Sequence, residues 1–254
     1  PDYLKTHSRG ILDSLARNNP HKALDLLAVY KSQFPIGQSQ QVIEQWSQND
    51  PKAALNYVQN NPQLKSEHLM GNIMGHMMDK FPMETIQMIE SGKLEMSRYM
   101  SMSFHRMRSN NDEIERLIPN LTNKELQSTL ISGIARQKAD SDPQSALSWI
   151  ESYSEYQGYN NAVQNILFQM SRSDPQGTID ELLKRRNLPR IDNVMHNLVN
   201  NWHRKDPQSL LTWVDDLSSG TKKDYVLSSL VSGFGASDEQ QRREWLSQIQ
   251  DPVV

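Results

Sequence analysis

The chain has 254 residues, 36% of them hydrophobic and 22% charged, with a formal net charge of −3 and a mean hydropathy of −0.71. That near-neutral balance argues against a nucleic-acid binder, whose affinity comes largely from neutralising phosphates, and no apolar run approaches the ~18–20 residues of a membrane helix. Cysteine is absent, which removes disulfides, thiolate zinc sites and cysteine nucleophiles together.

Taken in chain order, the elements are marked by their punctuation. Asn19-Pro20, Asp50-Pro51 and Phe81-Pro82 come first, and a degenerate copy lies near Asp112. Asp142-Pro143, Asp174-Pro175, Asp206-Pro207 and Asp238-Glu239 follow, so the anchors stand 30 to 32 residues apart throughout. An Asp or Asn side chain accepts the orphan N–H groups of a first helical turn. Proline suits the next position, where no N–H is needed and φ is already helical. Each anchor therefore predicts a helix start.

Downstream of the anchors, apolar residues recur four and seven positions on: Leu24 and Leu27, Leu55 and Val58, Ile86 and Ile89, Leu147 and Ile150, Ile179 and Leu182, Leu211 and Val214. That is the stripe of a helix with one buried face. Six positions on, a large residue often joins it, as at Tyr57, Met88, Trp149, Trp213 and Trp245. Upstream, a second stripe holds Val42-Ile43, Ile73-Met74, Ile134-Ala135, Ile166-Leu167, Leu198-Val199 and Leu230-Val231, with Trp46, Met77 and Trp202 nearer the anchor. Two stripes in fixed register predict an all-α chain: a right-handed α/α solenoid of about eight helix-pair repeats of roughly 31–32 residues, one domain over 1–254.

Across essentially its whole length the pattern resembles the tetratricopeptide and HEAT-like class of α-solenoids. It also resembles the superhelical, non-catalytic region of soluble lytic transglycosylases. These resemblances imply a scaffold fold; Glu151-Ser152 lies inside a repeat helix, without the lysozyme-like pattern that follows the Glu-Ser motif of those enzymes.

A polar position recurs ten residues before the anchors, at Gln41, Asn72, Asn165, Asn197 and Ser229. It abuts the buried pair yet lies off the core stripe, so these side chains are the candidate partner-binding residues, set to hold an extended peptide by its backbone. The rival reading is that they hydrogen-bond between neighbouring repeats, because a half-buried polar row normally satisfies itself.

Ten of the twelve methionines lie between Met70 and Met107, with His68, His76 and His105 among them. Soft thioether and imidazole ligands suit Cu(I), whereas helical spacing at Met70, Met74 and Met77 suits core filling, the reading favoured here. The basic run Lys184-Arg185-Arg186 with Arg190 reads as a solvated helix end. The five tryptophans are expected in the core. No HExxH, phosphate loop, GxSxG or acidic metal loop occurs.

The functional expectation is a non-enzymatic scaffold that binds a protein or peptide on the concave face of the array, with no cofactor, no nucleic acid and no direct membrane insertion. An accessory superhelical region of a larger cell-envelope enzyme is the alternative, and copper handling by the Met/His segment the third. The missing cysteines and the start at Pro1 lead us to expect a periplasmic or secreted protein with an anchor or signal upstream.

Overall fold

The computed structural model describes residues 12, 14–30, 34–96, 111–233 and 239–250. It is all-α, with no strand among the described residues. Two compact units divide it, Pro1–Ile134 and Ala135–Val254.

The first unit holds α1 (Pro20–Val29), α2 (Ile36–Asn49), α3 (Pro51–Asn60), α4 (Glu67–Lys80), α5 (Pro82–Glu90) and α6 (Asn111–Leu117). The unit boundary falls inside α7 (Lys124–Ser141). The second unit continues with α8 (Pro143–Ile150), α9 (Tyr159–Met170), α10 (Pro175–Leu183), α11 (Ile191–Lys205), α12 (Pro207–Asp216), α13 (Thr221–Gly233) and α14 (Glu239–Gln248). A helix therefore begins at each proline anchor, at Pro20, Pro51, Pro82, Pro143, Pro175 and Pro207, while the residues before Asn111 and Glu239 lie outside the described ones.

The caps are made as their chemistry requires. Asp50 accepts the Ala53 N–H at 3.0 Å, Asp174 that of Gly177 at 2.8 Å and Asp206 that of Ser209 at 3.0 Å. Asp142 takes two, from Gln144 and Ser145. Phe81 offers no side-chain acceptor, and α5 starts on its proline alone.

Both apolar stripes are buried along the described residues, from Leu24 and Leu27 to Leu230 and Val231, except that Leu211 is half-buried beside a sealed Leu210. The position three after the proline, which the sequence stripe passed over, is the most consistently sealed of all. Ala23, Ala54, Thr85, Ala146, Thr178 and Leu210 are each 0% exposed. At 100° per residue the positions three and four on flank the position seven on, which lies at the centre of the buried face. The two threonines hide their hydroxyls by donating to the carbonyl four residues back, Thr85 to Phe81 at 2.8 Å and Thr178 to Asp174 at 2.5 Å.

The tryptophans correct one expectation. Trp46, Trp202 and Trp245 are buried, but Trp149 and Trp213 are half-buried. Six residues after the proline lies roughly 100° from the centre of the buried face, so these rings close its margin instead of filling it. The methionines Met70, Met74, Met77 and Met78 are core. Met100, Met102, Met107 and His105 lie outside the described residues.

Candidate functional site

The five candidate residues fall on the first helix of each pair and divide by environment. Gln41 on α2, Asn165 on α9 and Asn197 on α11 are exposed, and none makes a side-chain hydrogen bond among the described residues. Asn72 on α4 is half-buried and donates to the Glu44 carboxylate of α2 at 2.5 Å. Ser229 on α13 is buried, and its hydroxyl donates to the Tyr225 carbonyl at 2.9 Å.

The neighbouring position, one residue earlier, carries a device that the sequence did not announce. Gln40 donates its amide to the Leu64 carbonyl at 3.0 Å, and Gln164 donates to Pro189 at 3.4 Å. The two glutamines stand eleven residues before their prolines, and the two acceptors eighteen before the next. Each ties a first helix to the connection that leads into the following one. A lysine two residues before the proline works in the other direction. Lys80 donates to Gln48 and Asn49 carbonyls at 2.6 and 2.8 Å, and Lys205 to Arg172 at 2.8 Å. In each case the ammonium meets the carbonyl-rich C-terminal end of the preceding first helix, where a cation is favoured. Finding these pairs needs the three-dimensional neighbour, and only the shared register was visible beforehand.

Amides off these contacts crowd the same helices. α9 reads Tyr159, Asn160, Asn161, Ala162, Val163, Gln164, Asn165, and α11 carries Asn193, Asn197, Asn200 and Asn201. Asn161, Asn193 and Asn201 are exposed with Asn165 and Asn197. His196 faces Asn200, with Nε2 and Nδ2 2.7 Å apart, and burial pushes the His203 imidazole below its ordinary range. Such a face is dense in hydrogen-bonding groups, with the Arg204 guanidinium bonded to Asn201 at its end.

A second feature of the Ala135–Val254 unit is ionic. Arg185 reaches Glu181 at 2.8 Å and Glu151 at 3.0 Å, and Lys184 also reaches Glu181, at 2.6 Å. Hydrogen bonding from Lys184 leads the effects on the Glu181 carboxyl; burial opposes it, and with Arg185 added the net direction is down. Tyr159 donates to Glu151 at 3.0 Å; burial first, and then the Glu151 bond and charge, raise its phenol. These residues border a cleft of about 430 Å³ between the start of α9 and the turn after α10.

The described residues hold no group of three or more His, Asp or Glu placed to bind a metal, and no helix among them is long and apolar enough to cross a membrane. The chain matches no protein-family model, no curated protein and no solved structure.

Proposed function

We propose that the chain is a non-enzymatic scaffold that binds a protein or peptide partner on the concave face of a helical-repeat array, through the solvent-exposed amides of its first helices. One observation carries the reading. The amides of these helices split into those bonded within the fold, such as Gln40, Gln164 and Asn72, and those turned to solvent with no internal bond, Gln41, Asn165 and Asn197. A carboxamide offers both donors and acceptors, which is what an extended peptide backbone presents in return. Stacked helix pairs commonly bind partners over such extended surfaces.

Recognition of this kind reads backbone more than side chain, so the expected preference is broad. The test is selection from a displayed library of random peptides, followed by calorimetric titration of the recovered peptide. Replacing Asn165 and Asn197 together by Ala weakens binding by about tenfold, the effect of one or two lost hydrogen bonds, with the melting temperature unchanged. Loss of stability with binding intact would make the two amides structural and leave the proposal without its residues.

A further inference from the structure

The basic run stands at a helix end, as expected, and Lys184, Arg186 and Arg190 are exposed. α10 stops at Leu183, and Lys184 to Arg190 form the connection to α11, a stretch with four cations and no acid. Lys184, Arg185 and Arg186 line the 430 Å³ cleft, whose apolar walls are Leu183 and Leu188 and whose far side is Tyr159 and Asn160.

The charges there are not equivalent. Glu181 and Glu151 engage Lys184 and Arg185. Asp180, the other carboxylate on this side of α10, is held by Lys222 at 2.5 Å. Arg186 is exposed and has no ion pair or hydrogen bond among the described residues. Arg190 follows one residue after Pro189 and is also exposed. Its φ of 57° makes it the one left-handed non-glycine among the described residues. A side chain costs about 1 kcal/mol or more in that conformation, so the turn holds this cation where glycine would be cheaper. On a chain of net charge −3, the cleft presents uncompensated positive charge beside buried leucine.

We infer that this cleft binds an acidic peptide segment in which carboxylates alternate with apolar side chains, one carboxylate on Arg186 and the apolar groups against Leu183 and Leu188 inside it, with the next carboxylate on Arg190, which follows in the same connection outside the lining. The inference rests on the scaffold reading but uses residues separate from Asn165 and Asn197. A guanidinium pairs a carboxylate with two parallel hydrogen bonds, stronger than neutral ones. Nucleic acid fits less well: its affinity grows with the number of phosphates neutralised, and with Lys184 and Arg185 engaged by Glu151 and Glu181 the cleft offers too few open cations for a phosphate chain.

The test uses fluorescence anisotropy on the whole chain with a labelled peptide alternating Glu and Leu, and with its Gln/Leu and Lys/Leu counterparts, oligothymidylate and inorganic phosphate as comparisons. The Glu/Leu peptide is expected to bind in preference to all of these. Arg186→Gln should weaken it about tenfold and Arg186→Glu further, at an unchanged melting temperature because Arg186 bonds nothing in the fold. The Asn165→Ala, Asn197→Ala double variant separates the two readings. If it abolishes Gln/Leu binding while Arg186→Glu leaves the Glu/Leu peptide untouched, the scaffold stands and the cleft is overturned. If Arg186→Glu alone matters, the cleft stands and the amide face falls. Tighter binding of oligothymidylate or phosphate, or no preference for Glu/Leu over Lys/Leu, overturns the acidic-peptide assignment.

Discussion

Trp202 and Trp213 hold their rings 5.1 Å apart in the same register, five before and six after the proline, that brings Trp46 and Tyr57 to 5.8 Å. At the equivalent place in a third pair Lys138 lies over the Trp149 ring at 5.3 Å. The buried member plugs the core at the end of the first helix, and the half-buried member closes over it from the second. Trp202→Ala should therefore cost about 3–5 kcal/mol. Asp206→Ala, a few residues on, removes one cap and should cost about 1 kcal/mol. Urea denaturation of both variants checks the ratio; equal losses would mean that Trp202 is not a core residue.

The paired glutamines rank themselves by geometry. Gln40 reaches its carbonyl at 3.0 Å from a part-buried position, whereas Gln164 spans 3.4 Å at an exposed one. Gln40→Ala should cost about 1 kcal/mol, and Gln164→Ala only a fraction of that. Hydrogen exchange at the residues after Leu64 should rise in the first variant, and an equal response at Arg190 and beyond in the second would contradict the ranking.

Glu90 links α5 to the start of α7, accepting the N–H groups of Thr122 and Asn123 at 2.9 Å each and the Thr122 hydroxyl at 2.7 Å. Burial alone would raise its carboxyl, but these bonds and the Lys124 charge outweigh it, and the net direction is down. A carboxyl whose folded pKa lies below its unfolded value adds stability above the unfolded pKa, and that stability is lost as pH falls through the folded one. Glu90→Gln should accordingly be destabilising at neutral pH and indistinguishable from wild type once the solution is well below about pH 4. Thermal melts across that range decide it. A gap that persists in acid would assign the effect to packing instead of charge.

Gly177 lies where its N–H meets the Asp174 cap, and a methyl group there would collide with the same carboxylate. An ordinary helical Gly→Ala exchange gains about 1 kcal/mol. Here the cap must move aside, so Gly177→Ala should leave stability near its starting value. In an Asp174→Ala background the collision is gone, and the gain should reappear. A double-mutant cycle measured by urea unfolding reads the coupling directly, and additivity would refute the collision.

What could be read beforehand was the part set by local chemistry. Asp142-Pro143 or Asp206-Pro207 specifies a helix start from four or five adjacent residues, and the helices begin there. The two stripes were legible because burial repeats with the helical period. What escaped was set by the neighbouring pair. Ala54 and Thr85 share no side-chain class, so their common burial was hidden in a pattern of apolar residues; α4 lies against both of their helices. Asn72 and Asn165 occupy one register, yet only Asn72 has Glu44 opposite, and no pattern within its own repeat says so. Lys184 to Arg186 read as a helix end because charge runs usually are solvated; the cleft beside them is contributed by Tyr159 and Asn160, some 25 positions earlier.

The bonds that tie one helix pair to the next share a span. Gln40 to Leu64 covers 24 positions, Asn72 to Glu44 28, Lys80 to Gln48 32 and Arg185 to Glu151 34. All of them, with Gln164 to Pro189 at 25 and Lys205 to Arg172 at 33, stay between 24 and 34 positions, at either end of the described chain. Folding slows as contacts reach farther relative to length, and closing a loop of fixed size carries a fixed entropy. A ribosome releasing this polypeptide therefore meets the same small closure again and again. Each newly emerged helix finds its bonding partners already synthesised about one repeat behind it, and the order of folding follows the order of translation.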